Sequence, residues 1–145
     1  MKSEIDRLMA AYFQAVSFEQ GDKPPYDRIY DLFIDGGLLI KSSTDVPEVA
    51  TVGQFIEPRL ASVDSGKLTA FEERELAEIT ELFGKVAHRF STYEKTGTQN
   101  GAAFSARGMI STQFVKTPSG WKISVMAWDD ERPGLSIPQQ YRPSA

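Results

Sequence analysis

The sequence predicts an α+β domain in which helices from the first half of the chain cover an antiparallel sheet from the second half. Two observations carry this prediction. Residues 84–130 contain three runs rich in Val, Ile, Phe, Thr, Tyr and Trp, separated by turn-forming residues at 96–101 and 118–120. Upstream, apolar residues recur with the spacing of amphipathic helices, most regularly within 1–16. We therefore expect a meander of strands packed against helices.

Length and cysteine content bound the class of protein. A chain of 145 residues is expected to fold as one domain with its own core. We expect this domain to cover 1–132, because 133–145 is rich in proline and polar residues, as is typical of an irregular tail. The chain has no cysteine, which excludes disulfides, thiolate zinc sites and cysteine nucleophiles.

Charge and hydropathy restrict the expected partners and location. The net charge is −4 and there is no basic cluster, so neither nucleic acid nor an anionic membrane is an expected partner. No apolar run approaches the roughly 20 residues that span a bilayer. Charged residues interrupt the first 16 positions, unlike a secretory signal. We therefore expect a cytoplasmic protein.

The first two helices have clear local signals. Ser3 followed by Asp6 resembles a capping box. An apolar stripe with helical spacing comes next, formed by Ile5, Leu8, Met9, Tyr12, Phe13 and Val16. A short second helix is expected over 26–33, ending before 35–37, and its core residues should be Ile29, Tyr30 and Phe33.

A brief strand and a third helix should follow. Residues 38–40 are apolar and predict a buried strand. Thr51 and Gln54 form a second capping box, at which a helix should begin. Because proline lacks an N–H donor, we expect Pro58 to kink or break this helix before it ends near Gly66.

Residues 68–83 give conflicting local signals. Their apolar residues are spaced as on an amphipathic helix, and their Glu and Ala residues favour helix. Strand alternation is poorer, because Glu73 and Glu75 would share a face with apolar side chains such as Phe71. Local propensity alone therefore predicts a helix here.

Neither face of the predicted meander is cleanly polar. In the strand at 85–95, one face holds Val86, His88, Phe90 and Thr92, and the other holds Ala87, Arg89, Ser91 and Tyr93. A sheet with one solvated face should alternate more sharply. We therefore expect helices on one face and part of a second subunit on the other, with the assignment of the two faces left open.

Several stretches resemble a known superfamily. They are FGKVAHRFSTYE from Phe83, RGMISTQFVKTPSGWKI from Arg107, VMAWDDERPG from Val125, and the upstream TVGQFIEPR and LTAFEERE. Together they are similar to the SnoaL-like, cystatin-type branch of the nuclear transport factor 2-like superfamily. This superfamily includes ketosteroid isomerases, scytalone dehydratases, polyketide cyclases, epoxide hydrolases and many members without catalytic activity.

The resemblance implies a strongly curved antiparallel sheet wrapped around the N-terminal helices, as a cone with a pocket inside. It also implies a homodimer formed through the sheet. In similar proteins, 68–83 is the first long strand of the meander. We therefore predict a strand there, because tertiary pairing can outweigh local propensity.

Two residues are candidates for catalysis. His88 is the chain's single histidine and lies in the middle of a predicted strand, where it could carry a proton at neutral pH. Alternatively, it packs in the wall without a chemical role. Asp129, at the end of the last strand, could pair with His88 or Arg107 at the rim of the pocket, or it could be a solvated strand end. A single histidine and no cysteine make a transition-metal site unexpected.

Five residues are candidates for ligand binding. Arg107 would anchor an anionic group, pair with Glu73 or Glu75 on a neighbouring strand, or emerge at the sheet edge; the internal ion pair is favoured, since an unpaired buried guanidinium is costly. Tyr93 would donate to an oxyanion or belong to the dimer face. The aromatic candidates are Tyr12, Phe33 and Trp128, which the resemblance places around the pocket. Such a lining suits a small, apolar or aromatic molecule.

Two functions remain open from the sequence. One is a cofactor-free isomerase, dehydratase or cyclase that works by proton transfer. The other is a ligand-binding or dimerisation module without catalysis. The second histidine of the dehydratase branch is absent, and the aspartate–arginine–aspartate set of the epoxide hydrolases is not matched in this sequence, so the resemblance carries neither catalytic set over to this chain.

Overall fold

The computed structural model describes residues 2–144. Its helices are α1 (Lys2–Val16), a 3-10 helix (Tyr26–Leu32), α2 (Val52–Asp64) and a final 3-10 turn (Gln139–Tyr141). Its strands are β1 (Phe33–Lys41), β2 (Glu48–Thr51), β3 (Leu68–Phe83), β4 (Val86–Gln99), β5 (Ala102–Thr117) and β6 (Gly120–Asp130). None of these helices is long and apolar enough to cross a membrane.

Six strands of the described chain form one curved, unclosed sheet in the order β2-β1-β6-β5-β4-β3. The predicted α+β class and the meander are confirmed, and 68–83 is a strand as the resemblance implied. Its helical propensity is overridden because β3 pairs with β4 along nearly its whole length. The sheet is mixed, since β1 runs parallel to β6.

Several features that precede α2 differ from the predictions. Lys2 is already helical, so Ser3 does not cap α1, and Asp6 binds other partners. Residues 35–37 do not end a helix but form a bulge inside β1, where Gly36 has φ +77°. Tyr30 is exposed rather than part of the core.

Helix α2 begins as predicted. The Gln54 amide donates to Thr51 Oγ1 at 3.3 Å, and the Thr51 amide donates to Gln54 Oε1 at 3.0 Å. Pro58 does not break the helix, which continues to Asp64, although the proline removes one helical hydrogen bond. Val52, Phe55 and Ile56 face the core.

The face of β4 that carries Ala87, Arg89, Ser91 and Tyr93 packs against the helices, and all four residues are buried. Arg89 Nη1 donates to Asp6 Oδ1 of α1 at 2.5 Å, and Arg89 Nη2 donates to Glu75 Oε1 of β3 at 2.5 Å. Because these contacts join the helix to two strands, they fix α1 across the inner face of the sheet.

The C-terminal residues pack on the outer face. Thr92 Oγ1 donates to the carbonyl oxygen of Tyr141, whose ring lies 5.1 Å from that of Phe90. Ile137 is buried, and its amide donates to Glu131 Oε2 at 2.8 Å. The segment after β6 is therefore irregular but docked onto the sheet.

Candidate functional site

A cavity of about 690 Å³ lies between the helices and the inner face of the sheet. Its size falls within the range of small-molecule sites. Helices contribute Tyr12 and Val16 from α1 and Phe55, Pro58 and Arg59 from α2; the sheet contributes Leu39, Phe71, Glu73, Tyr93, Lys95 and Trp128. The lining therefore combines aromatic and aliphatic side chains with a comparable share of charged and polar groups.

Aromatic rings shape the cavity wall. The rings of Phe55 and Trp128 meet edge to face, 6.0 Å apart at 89°. Burial raises the pKa of the Tyr12 hydroxyl well above its ordinary value, and burial likewise raises the pKa of Tyr26. Both phenols therefore remain protonated at neutral pH and can act as hydrogen-bond donors.

Glu73 is the carboxyl group with the most perturbed environment in the cavity. The Glu73 amide donates to Ser17 Oγ at 3.0 Å, and Ser17 Oγ donates to the Phe13 carbonyl at 2.7 Å, which holds β3 against the end of α1. Within residues 2–144, the Glu73 carboxyl makes no hydrogen bond or ion pair. Burial raises its pKa from 4.5 to about 7, although the charge of Lys95 opposes the shift.

Arg59 brings a cation to the same cavity. Its guanidinium stacks 3.6 Å over the centre of the Phe55 ring, and its Nη1 donates to the Phe55 carbonyl at 2.9 Å. No ion pair among residues 2–144 includes Arg59. Burial lowers the pKa of this guanidinium, but it remains a cation at neutral pH.

Tyr93 is held by the end of β6. Its hydroxyl donates to Asp130 Oδ1 and lies 3.1 Å from the Asp129 carbonyl oxygen. Lys95 Nζ lies 3.1 Å from Asp130 Oδ1. Burial, followed by the hydrogen bond to Asp130, raises the pKa of Tyr93. The phenol therefore remains protonated, with its proton engaged by Asp130.

Of the predicted ligand-binding residues, Tyr12, Tyr93 and Trp128 line the cavity. Phe33 is buried in the core and does not line it. The prediction that Arg107 binds an internal carboxylate at Glu73 or Glu75 is wrong. Arg107 lies opposite Glu94 in the β4–β5 register, and its Nε and Nη2 both lie 2.9 Å from Glu94 Oε2.

The predicted pair of His88 and Asp129 is not brought together. His88 lies on the outer face of β4, because the buried Arg89 next to it points inward. Its imidazole is 64% exposed, and its Nε2 lies 2.6 Å from Glu81 Oε1. The Asp129 carboxylate binds Arg132 at 2.6 Å, whereas the following Asp130 turns toward Tyr93.

Two residues were missed as site residues. The sequence predicts Glu73 only as an ion-pair partner, although a carboxyl group on the same strand face as Phe71 is a signal of a perturbed site. Arg59 carried no distinguishing signal, because its position depends on how α2 packs across the sheet. No three His, Asp or Glu side chains in residues 2–144 are grouped as metal ligands.

Comparisons with known proteins agree with this architecture. No family model matches the chain, and no curated protein matches it. A nuclear transport factor 2-like protein from Salmonella enterica superimposes with a TM-score of 0.74 at 18% identity, covering 94% of this chain and 96% of that one. A candidate aromatic ring hydroxylase from Novosphingobium aromaticivorans gives 0.71 at 20% identity, covering 91% and 90%.

A third solved structure, a nuclear transport factor 2-like protein of unknown function from Prochlorococcus, gives a TM-score of 0.71 at 18% identity and covers 90% of this chain and 93% of that one. The chain therefore has the nuclear transport factor 2-like fold. The superfamily resemblance in the sequence is confirmed at the level of the fold.

Proposed function

We propose that this protein binds a small aromatic molecule in the cavity and transfers a proton by means of Glu73. The observation that carries the proposal is a carboxyl group that lines a cavity with aromatic walls and makes no hydrogen bond or ion pair among residues 2–144. Its pKa of about 7 makes both protonation states accessible near neutral pH. A carboxyl tuned in this way serves as a general base and then as a general acid.

The remaining polar groups suit this role. Removal of a proton from carbon beside a carbonyl group leaves negative charge on the carbonyl oxygen. Tyr12, Tyr26 and Arg59 line the same cavity and carry donors for that oxygen. Return of the proton from Glu73 to another carbon would complete an isomerisation. Dehydration and cyclisation can begin with the same proton abstraction. The proposal therefore concerns proton transfer as a type of reaction and does not name one product.

A general-base probe tests the proposal without knowledge of the natural substrate. In 5-nitrobenzisoxazole, a base removes the C3 proton, the C–H electron pair forms the nitrile bond, and the N–O bond breaks to give a coloured nitrophenolate. We expect saturable turnover whose rate rises with pH through about 7, as Glu73 ionises. Glu73→Gln should lower this rate at least about 100-fold.

Two matched variants identify the source of the activity. Glu72→Gln makes the same change at the adjacent, exposed position of β3 and should leave the rate unchanged. His88→Gln should also leave it unchanged, because the imidazole lies on the outer face. Retained turnover in Glu73→Gln would refute the proposal, and loss in His88→Gln would support the histidine hypothesis instead. Saturable binding without turnover would favour a non-catalytic binding protein.

We also infer that the outer face joins two copies of the chain. Ile79 pairs with Phe90 across β3 and β4, and Phe83 pairs with Val86 near the turn that joins the two strands. The pair of Glu81 and His88 lies between them on the same face. All four apolar residues are exposed, including Phe83 at 85%. Sedimentation velocity should give a dimer for the natural chain and a monomer for Ile79→Glu. A monomeric natural chain at tens of micromolar would contradict this inference.

A further inference from the structure

Charge in the cavity differs in sign from charge on the whole chain. The chain has a net charge of −4. The cavity lining holds three cations, Lys41, Arg59 and Lys95, against two carboxyl groups, Glu48 and Glu73. Below its pKa of about 7, Glu73 is neutral, so the positive excess in the cavity grows. The chain is acidic as a whole, but cationic side chains outnumber carboxyl groups in its cavity lining.

Arg59 is the cation best placed to receive an anion. Stacking on Phe55 covers one face of the planar guanidinium but leaves the edges that carry its N–H groups. A guanidinium has five N–H donors, and among residues 2–144 the single hydrogen bond from Arg59 goes to the Phe55 carbonyl. Lys95, by contrast, is already paired with Asp130 at 3.1 Å.

The lack of a carboxylate partner is the unusual feature. Arginines on the strands, by contrast, are neutralised: Arg89 lies 2.5 Å from both Asp6 and Glu75, and Arg107 lies 2.9 Å from Glu94. Glu48 and Glu73 act on Arg59 only through their charges, without a hydrogen bond or ion pair among residues 2–144. Partial removal of a guanidinium from water is costly, and an anionic ligand would offset that cost with charge-assisted, bidentate hydrogen bonds.

We infer that the ligand of this cavity is an aromatic carboxylate whose carboxylate group binds Arg59 while its ring lies against Phe55 and Trp128. The inference rests on the proposed function only in placing the ligand in the same cavity. It names the chemical class of the ligand, and it does not require Glu73 to be catalytic. The ring contacts come from the edge-to-face pair that forms the wall beside Arg59.

Calorimetric titrations with 2-naphthoate and 2-naphthamide at pH 6 test the inference, because the two probes share their ring and differ in charge. The natural chain should bind the carboxylate at least about tenfold more tightly than the amide. Arg59→Gln should reduce this preference to about threefold or less while still binding the amide. Amide binding shows that the cavity of the variant is intact.

Three further variants complete the test. Arg28→Gln removes the same charge from an exposed position outside the cavity and should keep the preference. Arg59→Lys should retain part of the preference for the carboxylate. If Arg59→Gln binds neither probe, the preference measured for Arg59→Lys tests the inference in its place. Glu73→Gln should keep the preference whether or not Glu73 is the general base, which separates the two proposals. Equal affinities in the natural chain, or a preference that survives Arg59→Gln, would overturn the inference.

Discussion

The two faces of the sheet present carboxyl groups in opposite situations. On the outer face, Glu81 pairs with His88 at 2.6 Å, and both side chains are mostly exposed. On the inner face, Glu73 faces a cavity without a partner among residues 2–144, and burial raises its pKa to about 7. The residue type that suggests catalysis, the single histidine, thus lies in water, whereas an ordinary glutamate has the perturbed environment. Environment, more than residue type, marks the candidate site.

The arginines show the same contrast. Arg89 on the inner face is 4% exposed and joins Asp6 and Glu75 at 2.5 Å. Arg107 and Arg74 on the outer side share Glu94 and are more than half exposed. Loss of one partner of the buried Arg89 would leave an uncompensated charge away from water. Loss of a partner of Arg107 or Arg74 would leave a charge that water can solvate.

The largest effect is expected from Arg89→Met. This change leaves Asp6 and Glu75 without their cation between α1 and the sheet, so the free energy of unfolding should fall by about 3 kcal/mol. Urea unfolding measures the loss. Arg107→Met on the outer side is the matched control and should cost less than about 1 kcal/mol. Equal losses would show that the two faces do not differ as described.

A stabilising change is expected from Glu73→Gln. Because the folded pKa of Glu73 lies above 4.5, the folded state binds more protons than the unfolded state between pH 4.5 and about 7. Stability of the natural chain should therefore fall as pH rises through this window, and then level off. The full shift corresponds to about 3 kcal/mol, which partial exposure to the cavity reduces to about 2 kcal/mol.

The variant has no carboxyl to ionise, so it should exceed the natural chain by about 2 kcal/mol at pH 8 and match it near pH 4. Unfolding curves at several pH values measure this difference. Glu81→Gln, the outer-face control, should show no comparable pH-dependent gain. A difference between the Glu73 variant and the natural chain that is constant with pH would contradict the assignment of a raised pKa.

Much of the fold was predictable because its signals are local. Turn residues at 96–101 and 118–120 delimit the meander, and the Thr51–Gln54 capping box marks the start of α2. The strand at Leu68–Phe83 required the family resemblance, since only pairing with β4 outweighs its helical propensity. Ser3 failed as a cap because the helix begins earlier, at Lys2.

The site was less predictable, because its chemistry depends on which face of the sheet meets the helices. The alternation of side chains along the strand places His88 and Arg89 on opposite faces of the sheet, as observed. No local sequence signal indicates which of the two faces meets the helices. Of the aromatic residues that the resemblance placed around the pocket, Tyr12 and Trp128 line the cavity and Phe33 does not. Arg59 could not be identified, since its unpaired state depends on the packing of α2.

A moderate effect is expected where the C-terminal residues cover the outer face. Tyr141→Ala removes the ring that lies 5.1 Å from Phe90 in an edge-to-face arrangement, which should lower the free energy of unfolding by about 1 kcal/mol. Urea unfolding measures it. Tyr30→Ala, which truncates an exposed tyrosine of the 3-10 helix, should cost less. An equal cost for both would show that the C-terminal segment adds nothing to the sheet.

The smallest effect is expected from His88→Gln. The substitution removes an exposed contact with Glu81, so the free energy of unfolding should change by no more than about 0.5 kcal/mol. Affinity for 2-naphthoate should also stay within about twofold, because the imidazole is separated from the cavity by the sheet. Titration calorimetry and urea unfolding on the same sample measure both quantities. A tenfold loss of affinity with unchanged stability would mean that the outer face is coupled to the cavity, and would remove the contrast between the two faces on which the assignment of Glu73 depends.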